Sequence, residues 1–440
     1  MSAEWKTSRL GDAADLLTGF PFRSAEYIDD QLQPRLLRGD NIVQGKLRWE
    51  DSQHWPASKT DSVQEYALAD GDVVVAMDRP WIEAGLKFAR ITKHDLPCFL
   101  VQRVSRLRAR KHVDQRFLSL LIASRDFTEH VLAIQTGTSV PHISAGQIKE
   151  FEFILPPHDE QQAIARVLGA LDDKIELNRR MNRTLEELAA ALFRSWFLDF
   201  DPVVAKAAGR QPAHLRPALA ALFPAHWQYS PLGEIPHGWR AGKVEELASL
   251  TRGGISPGAF PLETFDHYSI PAFDDGRFPR QELGGTIKSN KFPVPPGCVM
   301  VSKLNPDTPR IWLPDVTGER RAVCSTEFLV STLKPPTTRE FLFSLFSSEA
   351  FTSSFATLVT GTSGSHQRVK PDNLLTTDIV IPDASLISAF TKLAQPWLAQ
   401  VTHNIRESRT LAALRDTLLP KLLSGELRVK SAEKELASHG

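Results

Sequence analysis

The sequence predicts an α+β chain in which two similar globular α/β modules are joined by two long antiparallel helices, which form a coiled coil with pseudo-twofold symmetry. Three observations support this fold class. Segments of the two halves align at a nearly constant offset, and each half ends in a helical pattern of apolar residues. The chain has 440 residues, a length typical of about two to three domains.

The internal repeat is clearest between the segments that begin at Phe117 and Phe341. They align without a gap at an offset of 224, which places His142 on His366. The repeat continues at an offset of 226 in residues 153–156 with 379–382, and in Asn178 with Asn404. Chance similarity of helical segments is the alternative. A nearly constant offset across strand, loop and helix signals favours duplication, and a duplicated chain can imitate a symmetric dimer that reads two half-sites.

Each module begins with β-rich sequence. Residues 71–77 (GDVVVAM) are typical of a buried strand after a turn, residues 115–132 of a helix, and residues 151–155 of a strand closed by Pro156-Pro157. The patterns predict a first module at 1–157, a long helix at 158–200, a return linker at 201–236 with a short helix near 215–223, a second module at 237–383, a second long helix at 384–429, and a polar tail at 430–440.

The two long helices are predicted from apolar residues whose spacing alternates between four and three, the pattern of a coiled-coil seam. Buried asparagines at such positions fix the register. Arg415 interrupts the second seam, and Pro396 is expected to start or kink its helix. Two unrelated amphipathic surface helices are the alternative. The predicted seam consists of Ile164, Leu168, Leu171, Ile175, Asn178, Leu185, Leu192 and Trp196, and of Trp397, Val401, Asn404, Leu411 and Leu418.

Composition excludes several classes of protein. Lys+Arg and Asp+Glu are both 52, so the chain is not polybasic, although local basic patches remain possible. The three cysteines form no CxxC pair, which argues against a zinc ribbon or a disulfide framework and favours a reducing compartment. The N-terminus lacks an apolar signal core, and no apolar stretch is long enough to span a membrane.

Known catalytic and cofactor motifs are absent from the sequence. It contains no GxxxxGK[ST], no GxGxxG after a strand and no HExxH. The tripeptide Asp172-Asp173-Lys174 resembles part of a nuclease motif, but it lies within the seam pattern and is better explained as a solvated helix face. We therefore expect no catalytic, cofactor or metal site in this chain.

Two loops of similar composition are the main candidate binding elements. Small hydroxyl residues and glycine allow close approach to phosphate, and Gln and Arg can donate to base edges. A solvated turn is the alternative for each loop, but its recurrence in both halves favours function. With flanking basic and aromatic residues, the DNA-binding candidates are Arg23, Ser24, Arg79, Trp81, Arg103, Arg106, Thr136, Thr138, Ser139 and His142 in the first half, and Arg252, Lys303, Thr360, Thr362, Ser363, Ser365, His366, Gln367, Arg368 and Lys370 in the second.

The ordered motifs resemble the specificity subunit of Type I restriction–modification systems. The similar segments include GFPFRSAEY at 19–27, the TGTS loops, PPHDEQQAIARVLGALDDKIELN at 156–178, SWFLDFDPV at 195–203 and LLPKLLSGELRV at 418–429. The second loop lacks a proline corresponding to Pro141, so a shared contact pattern is not assumed.

The resemblance implies a non-catalytic, cytoplasmic protein of a prokaryote. Each module would be a target-recognition domain for one half of an asymmetric double-stranded DNA site, and the helices would set the separation of the halves. Two methyltransferase subunits would dock on the chain, and motor-nuclease subunits would join through the complex. S-adenosylmethionine, ATP and Mg²⁺ would bind those partners. A coiled-coil scaffold and a stand-alone DNA-modifying enzyme are the alternative functions.

Overall fold

The computed structural model describes residues 5–50, 52–82, 84–137, 140–360 and 367–429. They form two compact units. The first contains the chain up to Ile175 and from Thr410 onward, and the second is Glu176–Arg409. Each unit therefore includes a part of both long helices, whereas the sequence pattern had suggested modules that end where the helices begin.

The strands and helices of the first unit alternate along the chain. They are β1 (Lys6–Arg9), α1 (Leu10–Ala13), β2 (Ala14–Thr18), β3 (Arg35–Leu37), β4 (Gln53–His54), β5 (Val73–Ala76), β6 (Trp81–Ile82), β7 (Gly85–Leu86), β8 (Phe88–Arg90), β9 (Cys98–Leu100), β10 (Val104–Ala109), α2 (Gln115–Ile122), α3 (Arg125–Ile134), α4 (Ala145–Lys149), β11 (Glu152–Leu155) and the beginning of α5 (His158–Phe197).

An antiparallel sheet of order β2-β10-β5-β8 forms the centre of the first unit. Alternate residues of its strands point to opposite faces. Val73 and Val75 pack in a core with α2, α3 and the long helices, and Val74 packs in a second core with β3 and β9. Strands β3 and β9 are parallel, and β1 pairs with β11. The sheet is therefore covered on both faces, which leaves its edges and loops for binding.

The second unit contains the rest of α5 and the elements that follow. They are α6 (Asp201–Ala207), α7 (Pro217–Ala220), β12 (Trp227–Ser230), β13 (Gly233–Pro236), β14 (Arg240–Lys243), β15 (Ala248–Leu250), β16 (Thr264–Tyr268), α8 (Ile270–Asp274), β17 (Arg280–Leu283), β18 (Phe292–Pro293), β19 (Val299–Ser302), β20 (Ile311–Trp312), β21 (Arg321–Cys324), β22 (Phe328–Leu333), α9 (Arg339–Ser347), α10 (Glu349–Thr357), β23 (Val359–Thr360), β24 (Arg368–Val369), α11 (Pro371–Thr376), β25 (Asp378–Ile381) and α12 (Ala384–Leu423).

The second unit repeats the topology of the first. Its sheet β15-β22-β19-β20 corresponds to β2-β10-β5-β8, the pair β14–β25 corresponds to β1–β11, and β16–β21 is a parallel pair like β3–β9. The duplicated α+β fold predicted from the sequence is thus confirmed.

Helix capping also repeats between the units. The Asp114 and Thr338 side chains accept backbone hydrogen bonds at the starts of α2 and α9, and Ser124 and Ser348 do the same for α3 and α10. Such caps satisfy amides that have no partner within the helix. The prediction of one helix over residues 115–132 was wrong, because the Ser124 cap separates α2 from α3.

Segments of α5 and α12 run antiparallel within each unit. In the first unit, Asp172 of α5 pairs with Arg415 of α12 at 2.7 Å. Glu160, nearer the start of α5, lies 4.0 Å from Arg428, which follows the end of α12. Arg415, which interrupts the seam pattern, is thus neutralised by the facing helix. In the second unit α12 continues through Pro396, so the expectation that this proline starts the helix was wrong.

Most predicted seam residues lie inside the packed faces of the helices. Trp397, which was predicted for the seam, is only half-buried, whereas its neighbour Leu398 is 3% exposed. The remaining seam residues divide into the buried Ile164, Leu168, Leu171, Ile175, Asn178, Trp196, Val401, Asn404 and Leu418, and the half-buried Leu185, Leu192 and Leu411.

A polar layer interrupts the apolar packing in the second unit. Asn404 donates from Nδ2 to Oδ1 of Asn182 at 2.8 Å and accepts from Gln400 at 2.8 Å. Asn178 donates to Oε2 of Glu407 at 2.7 Å and to Oγ of Ser408 at 3.2 Å. Buried amides need such partners, so this layer favours one alignment of the two helices.

The predicted return linker is ordered and belongs to the second unit. Its short helix is α7 at Pro217–Ala220, and its end forms the hairpin of β12 and β13. The predicted tail at 430–440 lies outside the described residues. None of the described helices has the length and apolar character needed to cross a membrane.

Candidate nucleic-acid interface

One edge of the central sheet collects the candidate residues of the first unit. The register places the end of β2 at Thr18, the end of β5 at Ala76 and the start of β10 at Val104 side by side. The chain leaves β2 closely packed against the neighbouring strand, because a Cβ on Gly19 would lie 2.2 Å from the carbonyl oxygen of Val101. Loops from three strands therefore emerge at this edge, which we call the first loop edge.

Backbone hydrogen bonds attach the loop after α3 to the first loop edge. The amide of Ile143 donates to the carbonyl of Met77 at 2.9 Å, and the amide of Arg79 donates to the carbonyl of Pro141. Thr136 and His142 exchange both of their backbone hydrogen bonds, at 3.0 and 2.8 Å. The two ends of this loop are thereby joined, and Pro141 is held beside Arg79.

Two arginines of the first loop edge have left-handed backbone conformations. Arg79 has φ of 44° and Arg103 has φ of 67°, a region that costs free energy for residues with a Cβ. The Nη1 of Arg103 donates to Oδ1 and Oδ2 of Asp78 at 3.0 and 3.1 Å. The Arg103 side chain remains 66% exposed. The sheet thus presents a positioned arginine to solvent.

A hairpin also projects from the first loop edge. Strands β6 and β7 pair Trp81 with Leu86, and Trp81 is 37% exposed. The hairpin is braced beside its turn, because Nε2 of Gln44 donates to the carbonyl of Gly85 at 3.2 Å. Burial lowers the pKa of Lys87, which lies 9% exposed at the end of the hairpin. An exposed aromatic on a rigid support suits contact with an apolar group of a ligand.

The second unit has an equivalent loop edge, at the end of β19 and the start of β22. The amide of Lys303 donates to the carbonyl of Glu327 at 2.9 Å, and the amide of Val369 donates to the carbonyl of Lys303 at 3.0 Å. Asn305, with φ of 48°, donates from its amide to the carbonyl of Gln367 at 2.9 Å. We call this the second loop edge.

Matching hydrogen bonds identify which residues correspond between the two loop edges. Asp78 forms a backbone bridge with His142, and Leu304 forms the same bridge with Arg368. His142 therefore corresponds to Arg368 and not to His366, so the ungapped alignment was wrong at this residue. Thr136 corresponds to Thr360, since each pairs with its bridging partner. The two-residue shift in offset thus falls within the loop, which is longer in the second unit.

Side-chain charges differ at the corresponding positions. The backbone bonds align Met77 with Lys303 and Arg103 with Glu327, so an arginine in one unit is replaced by a glutamate in the other. Glu327 accepts from Nε and Nη2 of Arg368, both at 3.0 Å. This bidentate pairing raises the pKa of Arg368. Each loop edge thus pairs an arginine with a carboxylate. The arginine directly precedes β10 in the first unit, whereas it lies in β24 in the second.

Other candidates occupy different environments. Arg106 is half-buried on β10, where its Nη1 donates to the carbonyl of Glu65 at 3.3 Å and burial lowers its pKa. Its neighbour Arg108 binds the buried Asp72 at 2.6 Å. These two arginines of β10 thus bind acceptors within their own unit. Arg23 and Ser24 are exposed further along the segment that follows Gly19.

In the second unit, Arg252 and Lys370 are exposed and Lys303 is half-buried. Arg252 follows β15, and Lys370 precedes α11. Thr360 lies in β23. Six candidates lie outside the described residues: Thr138, Ser139, Thr362, Ser363, Ser365 and His366.

Sequence reasoning missed the carboxylates Asp78 and Glu327, because it searched only for basic and hydroxyl residues. A signal existed for Asp78, which stands directly before Arg79-Pro80-Trp81. Glu327 had no local signal, since its pairing with Arg368 spans 41 residues. Over the part of the chain that the structure describes, no group of three or more His, Cys, Asp or Glu could hold a metal ion.

The geometry defines a protein in which one surface built from loops occurs twice in two variants, and comparison with known proteins shows what the chain resembles. Residues 2–187 match the family model described as the Type I restriction modification DNA specificity domain. The specificity subunit of the EcoAI enzyme of Escherichia coli is 37% identical over 175 residues, which cover 39% of this chain and 28% of that protein. The HindI specificity subunit of Haemophilus influenzae is 28% identical over 373 residues, covering 71% of this chain and 77% of that protein.

A solved structure has the same fold. The S subunit of a Type-I restriction-modification system from M. genitalium aligns with a TM-score of 0.52 at 14% identity, and the alignment covers 96% of each chain. The chain is thus similar to specificity subunits of Type I restriction–modification systems, and the match to the family model lies in its first 187 residues.

Proposed function

We propose that this chain selects the DNA target of a Type I restriction–modification complex by binding one half of a two-part, asymmetric site with each unit. The supporting observation is that one loop edge occurs twice with different side chains at corresponding positions. Arg103 corresponds to Glu327, and His142 corresponds to Arg368. Hydrogen-bonding groups that differ at the same place select different bases, so the two half-sites differ in sequence.

Double-stranded DNA is the ligand that this chemistry suits. Guanidinium groups bind guanine edges and phosphates, and small hydroxyl residues bind phosphate oxygens. The loop edges project from sheets whose faces are covered by packed residues. Rigid elements of this kind hold readers in place against a groove.

The chain would act through partners. Two methyltransferase subunits would dock on it, with the long helices as the docking region, and motor-nuclease subunits would join through the complex. Leu177 and Leu188 of α5 are each 46% exposed, which suits a helix surface that a partner covers. S-adenosylmethionine, ATP and Mg²⁺ would be bound by the partners in the cytoplasm, and this chain would contribute recognition without catalysis.

The test is to express the chain with the methyltransferase encoded beside it and to map methylated adenines across the host genome. We expect methylation confined to one two-part sequence, and its loss when this chain is omitted. Methylation that ignores sequence, or an unchanged pattern without the chain, would contradict the proposal. DNA binding that neither depends on salt nor prefers the mapped site would instead favour a scaffold without a nucleic-acid function.

A further inference from the structure

We infer that Arg103, positioned by Asp78, reads a guanine in one half-site, and that Arg79 beside it binds a phosphate. This inference rests on the proposed function and assigns separate tasks to two neighbouring arginines. It also makes Asp78, which does not itself contact DNA, a positioning residue for specificity.

The hydrogen bonds of Arg103 favour a base contact. Both carboxylate oxygens of Asp78 accept from Nη1, and among the described residues nothing accepts from Nε or Nη2 in a side-chain hydrogen bond. Those two nitrogens form a planar fork of donors, which matches the O6 and N7 acceptors of guanine. The carboxylate fixes the direction of the fork before DNA arrives, so less side-chain entropy is lost on binding.

Charge argues against a phosphate as the ligand of Arg103. The Arg103–Asp78 pair has no net charge, and the carboxylate of Asp78 would repel a phosphate. Guanine presents neutral acceptors and does not meet that repulsion. Arg79 differs, because it is exposed and has no salt-bridge partner within the described ranges. Its full positive charge suits the DNA backbone.

Backbone conformation supports functional importance for both arginines. Left-handed conformations favour glycine and asparagine, and Asn305 occupies the position in the second unit that corresponds to Arg79. In the first unit the chain keeps an arginine there, and a second at Arg103. Strained backbone of this kind concentrates where a side chain is needed for binding.

The experiment uses the complex with the methyltransferase and duplexes that carry the mapped site or each single base-pair change in it. Arg103→Lys keeps the charge but removes the planar fork. We expect roughly 10- to 100-fold less discrimination at one G·C pair of one half-site, with the other half-site unaffected. The salt dependence of binding should not change, because lysine keeps the positive charge.

Two further variants separate the tasks. Asp78→Asn leaves the Arg103 charge uncompensated, so it should steepen the salt dependence while it lowers discrimination at the same G·C pair. Arg79→Asn should weaken binding to all duplexes alike and reduce the salt slope by about one. It should also leave the melting temperature unchanged or higher, because Asn tolerates the left-handed backbone. His214→Asn is the matched control, since His214 is an exposed residue with φ of 60° in the predicted linker.

Full discrimination by Arg103→Lys, or a half-site without any required G·C pair, would overturn the inference. Equal weakening on all duplexes by Arg103→Lys, with discrimination unchanged, would assign this residue to phosphate instead and would equally overturn the inference. These results differ from a failure of the proposed function, in which the unmodified complex would itself show no preferred sequence.

Discussion

Arg368 holds in the second unit the backbone position that His142 holds in the first, although the sequences align His142 with His366. Both residues bridge to a residue two positions beyond the end of the corresponding sheet strand, Asp78 in one unit and Leu304 in the other. An identical backbone frame thus presents an imidazole in one unit and a guanidinium in the other. Specificity can therefore differ between the units without any change of fold.

Replacing Arg368 should affect one half-site only. If the guanidinium contacts a base, Arg368→Ala should reduce discrimination there by about 1–3 kcal/mol, as measured by binding of the complex to duplexes with single base-pair changes. Arg240→Ala is the matched control, since Arg240 also forms an exposed ion pair, with Glu246, in the same unit. Equal losses at both half-sites would contradict a unit-specific role for Arg368.

The hydrogen bond between Asn404 and Asn182 predicts strong coupling between these two positions. Asn404→Leu alone leaves the Oδ1 of the buried Asn182 without its partner, which should cost about 1–3 kcal/mol in the free energy of unfolding. Replacing both asparagines with leucine removes both polar groups, so we expect much of that cost to be recovered. Chemical denaturation of the wild type, both single variants and the double variant measures the coupling. Additive effects would show that this hydrogen bond contributes little.

The sequence was sufficient to predict the duplicated fold, both long helices and the loops that carry the candidates. Their signals are local or periodic, as in the alternation that placed Leu168 and Val401 on packed faces. The break at Ser124 was missed, because a serine cap inside a continuous apolar pattern resembles an ordinary helical residue. The Arg368–Glu327 pairing was also beyond local patterns, since it depends on tertiary folding. The correspondence of His142 with Arg368 also depends on tertiary folding, because only backbone hydrogen bonds reveal it.

Charge introduced at Leu171 should unfold the first unit and prevent assembly of the complex. Leu171 is 7% exposed in the core that includes Leu418 and Leu422. Leu171→Asp removes apolar contacts and buries a carboxylate without a partner, so we expect a loss of at least about 3 kcal/mol in the free energy of unfolding. Ile175→Asp, also at a buried position, should act in the same direction.

Leu177→Asp is the matched control for the effect of these two changes on stability. It introduces the same charge on the same helix, but at a side chain that is 46% exposed. Thermal unfolding of the chain and co-purification with the methyltransferase should be measured for all three variants. An intact complex that contains Leu171→Asp would show that the core packing of this helix was misinterpreted. Normal unfolding of Leu177→Asp with loss of co-purification would place the docking surface at Leu177.

The stability of the second unit should fall as the pH drops through the ordinary pKa of histidine. His267 on β16 is largely buried, and this burial lowers its pKa below the usual 6.5, although its hydrogen bond with Glu282 at 2.7 Å acts in the opposite direction. Its Nε2 is buried without a hydrogen-bond partner among the described residues. A histidine kept neutral in the folded state binds fewer protons than in the unfolded state, so protonation of the unfolded chain favours unfolding below about pH 6.5.

The melting temperature of the second unit, followed between pH 5 and 8, tests this linkage. The wild type should lose stability on acidification, and His267→Gln should show a weaker pH dependence in that range. His226→Gln is the control, because it removes an exposed histidine of the predicted linker. An equal pH dependence in wild type and His267→Gln would show that His267 is accessible to protons in the folded state. Greater stability of the wild type at the acidic end would reverse the sign that burial predicts.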